Sequence, residues 1–424
     1  MKIMNKSDLK SLKRSVDQGT EEQRKAVQDI ISQVKSRGDE AVKEYTKRFD
    51  KATMETFKVS KEEFEQAYAS LDGEFVQILQ EAADNIRAFH EKQKTASWFD
   101  SSEDGTLLGQ KITPIDAAGV YVPGGTAAYP SSVFMNVIPA QVAGVERVVM
   151  VTPPGQDGKV PDGVLLAAQI LGVEDVFKVG GAQAIAALAY GTETIPSVDK
   201  ITGPGNVFVA LAKREVFGDV DIDMIAGPSE IAILADETAR AEEIAADLLS
   251  QAEHDARSSS ALVTTSETLA KAVEKEVQLQ LDSLPRADIA RKSVEDYGMI
   301  VLCESWKEAV ETINEMAPEH LEIVTEDPFQ ELGKIKHAGA IFLGPYSSEP
   351  VGDYFAGPNH VLPTNGTARF SSPLNVDDFV KKSSIISYSR QALETNVDKI
   401  ARFARLEGLE AHARAVETRK ERWK

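Results

Sequence analysis

Cysteine is almost absent from this 424-residue chain. Cys303 is the only one, so no intrachain disulfide and no multi-cysteine metal cluster can form, and a reducing cytoplasm is the expected setting. It closes the apolar run Met299-Ile300-Val301-Leu302 with no histidine beside it, and is expected to be buried as a small hydrophobe and not to act as a nucleophile. Long apolar runs are missing too. None reaches the roughly 18 residues a membrane helix needs, and the lysines of Met1 to Ser15 precede no apolar signal segment, so neither membrane embedding nor signal-directed export is expected. Positive charge is scarce: 47 Lys and Arg stand against 67 Asp and Glu, a net charge of −20. No basic cluster is wider than one helix face, which excludes nucleic acid as a partner and suits a small cationic substrate.

What is present is a globular composition, 42% hydrophobic and 27% charged, in a chain long enough for two or more domains. From Lys2 to about Lys94 the pattern is helical and charged, with Ile30, Val34, Val42 and Tyr45 near a 3.6-residue period. Gly105 to Gly125 changes to short β-like runs. Then strand and helix signals alternate: Arg147 to Thr152 is β-branched, Gly163 to Leu171 helical, and Val176 to Val179 again strand. The rhythm repeats with strand Ile231 to Leu234, helix Ala239 to His254, strand Ala261 to Thr265, a charged helix to about Ser283, and strand Met299 to Cys303. Two doubly wound α/β units are the economical reading. Beyond about Pro373 the chain is expected to be helical to its end, as an arm over another surface.

Two segments follow the order strand, glycine turn, helix: Val179-Gly180-Gly181-Ala182-Gln183 and Ile201-Thr202-Gly203-Pro204-Gly205-Asn206. Such turns present backbone N–H groups to an anion. Neither completes G-x-G-x-x-G, since Phe208 fills the last position of the second. A standard dinucleotide fingerprint is therefore absent, although Asp221 and Asp223 stand about where a ribose-binding carboxylate would.

Six histidines are few enough to weigh singly. Gln251 and His254, in Gln251-Ala252-Glu253-His254-Asp255, share a helix face at i and i+3. Asp353 and His360 share a loop whose glycines and proline deny it regular structure. His412 closes Glu407-Gly408-Leu409-Glu410-Ala411-His412 in a helical context. Gln251, His254, Asp353 and His412 make an O, N, O, N set compatible with zinc but not unique to it. Each is also, taken alone, an ordinary polar surface residue. In Pro318-Glu319-His320-Leu321-Glu322, neighbouring strand residues point to opposite faces, so Glu319 and His320 converge on one substrate only if the backbone is irregular, which Pro318 favours. Histidine then takes a proton and the carboxylate activates a water.

Gly227-Pro228-Ser229-Glu230, Gln251 to Asp255, Pro318 to Glu322, the Asp353 to His360 loop and Glu407 to His412 together resemble the histidinol dehydrogenase family in order and separation along nearly the whole chain. The resemblance implies two incomplete Rossmann-like doubly wound domains with smaller helical N- and C-terminal extensions, in a homodimer of intertwined subunits. On that plan residues 1–28 are an N-terminal helical arm. Residues 29–110 plus 233–370 form the domain with metal and acid–base residues, 111–232 the domain with NAD contacts, and 371–424 a helical arm reaching the partner. It implies oxidation of L-histidinol to L-histidine through the aldehyde with two NAD, the last step of histidine biosynthesis. It implies one zinc per subunit on Gln251, His254, Asp353 and the partner's His412, Glu319 and His320 as acid–base pair, and substrate contacts from Ser229, His360 and Glu407 beside the metal and acid–base residues. NAD contacts fall on Tyr121, Gln183 and Asn206. Two other readings of the residues are a zinc-dependent hydrolase of a small cationic substrate, with Glu319 activating water, and a non-catalytic assembly protein.

Overall fold

Strands buried on both faces must be apolar along their length, and two sets of such strands build the parallel sheets of this protein. The computed structural model describes residues 1–8, 19–124 and 129–423. Residues 9–18 of the expected N-terminal arm, and Gly125, lie outside them.

The chain divides into two units, residues 1–93 with 115–379 and residues 94–114 with 380–424. The first opens with β1 (Lys2–Asn5), α1 (Glu21–Arg37), α2 (Asp39–Phe49), α3 (Lys61–Ser70) and α4 (Gly73–Glu91). After β2 (Trp98–Ser101) and β3 (Leu107–Pro114) of the second unit, it continues through β4 (Ala117–Tyr121), α5 (Pro130–Ala143), β5 (Arg147–Thr152), α6 (Asp162–Ile170), β6 (Asp175–Lys178), α7 (Gly181–Tyr190), β7 (Lys200–Thr202), α8 (Val207–Val216) and β8 (Asp221–Ile222). These strands form a parallel sheet in the order β6-β5-β4-β7-β8. The order reverses between β4 and β7, and at such a switch point the strand ends leave a crevice. Gly203, just after β7, shows how tightly the crevice is built: its φ is +109°, and a Cβ there would lie 2.1 Å from the Tyr121 carbonyl oxygen.

The second sheet follows: β9 (Glu230–Ala235), α9 (Ala241–Ala252), β10 (Ser259–Thr264), α10 (Glu267–Leu281), α11 (Ala287–Tyr297), β11 (Met299–Leu302), α12 (Trp306–Met316), β12 (His320–Val324), α13 (Pro328–Leu332), β13 (Ala340–Leu343) and α14 (Glu349–Val351). Its order is β1-β11-β10-β9-β12-β13, again all parallel. Every residue of β9 and β12 is buried. Cys303 is buried after β11, as its apolar run predicts.

Three expectations are revised. The first residues are not part of a helical arm: Lys2 to Asn5 pair with β11 as an edge strand. The helices after them pack mainly on the first sheet's layer, α1 on α7 and α8, α3 on α6 and α4 on α5, while α4 also meets residues 352–356, its Asn85 donating to the Phe355 carbonyl at 3.0 Å. Periodicity shows which helix face is apolar but not which sheet it covers. The chain beyond Pro373 is also not helical throughout, because β14 (Val380–Ser387) pairs antiparallel with β3, which pairs with β2. In this second unit α15 (Arg390–Leu406) and α16 (Glu410–Glu417) complete the chain.

Candidate active site

The amino ends of β9 and β12 carry Glu319 and His320, the pair expected from the sequence to do acid–base chemistry. α12 stops at Ala317, a non-glycine residue held at φ +48°, and this left-handed turn supplies the irregularity that the sequence suggested at Pro318. Glu319 and His320 then both meet the backbone of Glu230. The Glu230 N–H donates to Glu319 Oε2 at 2.8 Å, and His320 Nδ1–H donates to the Glu230 carbonyl at 3.0 Å. A carbonyl only accepts, so this contact fixes the hydrogen on Nδ1 and leaves Nε2 as the working nitrogen. Nε2 lies 3.5 Å from Asp353 Oδ1, and Glu319 Oε2 is 3.8 Å from Nδ1. Burial pushes the Glu319 carboxyl up to about 8. Burial works against a charged His320, yet Glu319, Asp353 and Glu349 carry its pKa up to about 10. A cation on Asp353 would cancel part of that pull.

Around this pair a cavity of about 400 Å³ collects Gln251, His254, Ser229, Asp353 and His360 with Glu319 and His320. Gln251 is in the last turn of α9 and only 1% exposed, and neither its Oε1 nor its Nε2 has a hydrogen-bond partner among the described residues. His254 lies just past the helix, its N–H donating to the Gln251 carbonyl at 3.2 Å, so the i, i+3 relation survives in the turn. Burial lowers the pKa of His254 and of His360, keeping both imidazoles neutral. Burial acts to raise Asp353, but contact with His320 and the nearby His360 hold its carboxyl well below the usual range. A neutral imidazole, an ionised carboxylate and an unsatisfied amide oxygen are what a divalent cation requires. The backbone bearing Asp353 is not irregular, as its glycines had suggested: Gly352–Ala356 form one wide π-helical turn that continues α14.

A different trio also meets metal-ligand spacing. One atom each of His320, Glu349 and Asp353 lie within 4.8 Å of one another. Glu349 was not singled out from sequence, nor were Glu322 and Asp247 behind it. Glu322 accepts the Glu349 N–H at 2.8 Å, and the Ser250 hydroxyl donates to Glu349 at 3.2 Å.

A larger cavity of about 1270 Å³ adjoins the first, and the two share Pro123, Gly124, Gly205 and Asn206. It opens at the carboxyl ends of the first sheet's strands, where Tyr121, Gln183 and Asn206 all line it. The Tyr121 hydroxyl accepts the Gly181 N–H at 3.0 Å at the start of α7. Asn206 Oδ1 caps α8 by accepting from the N–H groups of Phe208 and Val209 at 3.0 and 3.2 Å, leaving its Nδ2 for a ligand. Gln183 is 1% exposed with neither amide atom partnered among the described residues. Two helix amino ends and an unsatisfied amide fit a dinucleotide in this crevice. Asp223 is otherwise engaged: it accepts the Gly203 N–H at 2.8 Å and pairs with the buried Lys213, so it is no ribose ligand. Lys213 in turn donates to the Gly203 carbonyl at 2.9 Å, so the turn between the two cavities is clamped on both sides. Glu407 and His412 belong to the second unit, at the end of α15 and in α16, and both are exposed there.

Residues 13–420 match the family model described as histidinol dehydrogenase. A histidinol dehydrogenase of Bacillus licheniformis is 69% identical over 409 residues, covering 96% of each chain. One of Bacillus subtilis is 66% identical over 422 residues, covering 100% of this chain and 99% of its own. Among solved structures, the histidinol dehydrogenase of Elizabethkingia anophelis superposes with a TM-score of 0.93 at 38% identity, over 97% of this chain and 95% of that one.

Proposed function

The chain belongs to the histidinol dehydrogenase family, and from that premise we propose how its adjoining cavities carry the reaction. The enzyme is an NAD-dependent oxidoreductase of histidine biosynthesis that oxidises L-histidinol to L-histidine through L-histidinaldehyde, the last step, with two NAD. Membership does not favour the hydrolase or the assembly protein.

The unpartnered, buried amide of Gln251 carries the reading of the smaller cavity. Zinc, one per subunit, fits Gln251, His254 and Asp353, with His412 of the partner subunit as fourth ligand in an intertwined cytoplasmic homodimer. Bound there, it supplies a fixed point for the substrate's amine and imidazole, which orients the carbinol carbon. Ser229, His360 and Glu407 contact the substrate, Glu407 by pairing with its positive charge. Bound NAD supplies the hydride acceptor, and Tyr121, Gln183 and Asn206 hold it.

The chain's own proton chemistry follows from the Glu230 contacts. With Nδ1–H committed to a carbonyl, His320 Nε2 takes the hydroxyl proton in the first oxidation. The aldehyde needs an oxygen before it can be oxidised again, and the buried Cys303 offers no nucleophile. Glu319 takes a proton from the water that adds, and its raised affinity for protons suits it to that task. His320 then takes the hydrate's proton in the second oxidation.

The cluster of His320, Glu349 and Asp353 favours a second placement of the metal. Zinc analysis of purified variants decides between them. His254→Ala is expected to lose bound zinc while Glu349→Gln keeps most of it. Zinc retained by His254→Ala and lost by Glu349→Gln would move the site to that trio.

A further inference from the structure

The larger cavity has a wall that the cofactor contacts named above do not use. It is made by α1, α2 and the loop 155–161, and includes Tyr45, Phe49 and Asp50. Asp50 is the residue capping the end of α2. Its backbone N–H donates to the Thr46 carbonyl at 2.9 Å, so the cap is formed by the main chain and leaves the carboxylate free of structural duty. Among the described residues Asp50 Oδ2 is buried without a hydrogen-bond partner. Burial pushes this carboxyl up to about 6, and no cation or donor among the described residues offsets the loss of water. The neighbouring Arg48 does not neutralise it, its guanidinium lying over the Phe49 ring at 5.3 Å. Its charge is felt by Tyr121, whose hydroxyl marks the amino end of α7.

These positions order the cavity. The rim shared with the catalytic cleft, Gly124, Gly205 and Asn206, is where a reacting ring must lie. The helix amino ends at Gly181 and Asn206 suit the pyrophosphate. Asp50 lines this cavity but not the catalytic cleft, so it is available to the half of the dinucleotide that does not react, the half with the second ribose. A buried carboxylate lacking donors is satisfied by a vicinal diol, which brings two, and opposes a phosphate in the same place.

Resting on the cofactor cavity proposed above, we infer that Asp50 is the carboxylate that receives the adenosine ribose diol of NAD and sets the preference against a 2′-phosphorylated cofactor.

Calorimetric titration of the full-length enzyme with NAD, 2′-deoxyadenosine-NAD and NADP tests this without turnover. Asp50→Asn should weaken NAD binding about tenfold, weaken binding of the 2′-deoxy analogue, which brings only the 3′ donor, by clearly less, and narrow the gap between NAD and NADP. Asp50→Ser, which shortens the side chain but keeps the backbone cap, should behave alike. An unchanged NAD affinity, or an equal loss for NAD and its 2′-deoxy analogue, overturns the inference. Gln183→Ala and Asn206→Ala, titrated alongside, separate the two readings. If these bind NAD normally, the cofactor cavity itself is wrongly placed; if they weaken it while Asp50→Asn does not, only the role of Asp50 falls.

Discussion

The role proposed for His320 rests on one backbone carbonyl. Held through Nδ1–H by Glu230, the ring offers Nε2 to the cleft, and replacing it by asparagine removes the proton acceptor without opening a large cavity. His320→Asn should lower kcat by about 10²- to 10⁴-fold while zinc content and melting temperature stay close to those of the parent. A near-normal rate in that variant would remove His320 from the mechanism. If Glu319 serves the hydration of the aldehyde, as proposed, Glu319→Gln should still make the first oxidation and release or accumulate L-histidinaldehyde, detected by trapping the carbonyl. An equal loss of both oxidations would contradict the division of labour. The metal makes a further prediction about the same imidazole. Without a cation, Glu319, Asp353 and Glu349 hold the His320 pKa up to about 10, so loading zinc should lower it, and histidine NMR titration of stripped and loaded enzyme reads the shift.

At the scale of elements, β12 places an acidic side chain in the interior. Burial pushes Glu322 well above the ordinary range and Asp247 up to about 6. An acid whose folded pKa is raised binds more protons folded than unfolded, so the stability it allows is present below about pH 4 and is lost as pH rises through the raised values. Glu322→Gln should therefore gain melting temperature over the parent at pH 8 and lose that advantage near pH 5. A constant difference between the two pH values would contradict the charge argument. The same elements show what sequence discloses. β5, β9 and β10 were legible because strands covered on both faces carry a continuous apolar run, Val148 to Val151, Ile231 to Ala235 and Ala261 to Val263. β14 was not, since Val380 to Ser387 is mostly exposed and polar and its partner β3 lies far away in the chain. Gln251, His254, Asp353, Glu319 and His320 were legible as motifs, and the structure brings all five into one cavity. Glu230 as the anchor of the pair, Glu349 and Asp50 were not, because their roles depend on main-chain contacts or on missing partners that no local pattern records.

Across the whole molecule, the two parallel sheets are used at opposite ends. The first offers the carboxyl ends of β4 and β7 to the cofactor cavity, and the second offers the amino ends of β9 and β12 to the acid–base pair. Their cavities meet at Gly124, Gly205 and Asn206, as the proposed hydride transfer between them requires. No helix among the described residues is long and apolar enough to cross a membrane. The remaining proposed ligands, His412 for zinc and Glu407 for substrate, are exposed in the second unit, where a neighbouring subunit can receive them. The central claim, an active site completed by the partner, is tested most directly by the rate of a purified heterodimer of one His412→Asn and one Glu319→Gln subunit. Each homodimer should form almost no L-histidine, whereas the heterodimer rebuilds one intact site of its two and should show about half the parental rate of L-histidine formation. A heterodimer as inactive as both homodimers would contradict it.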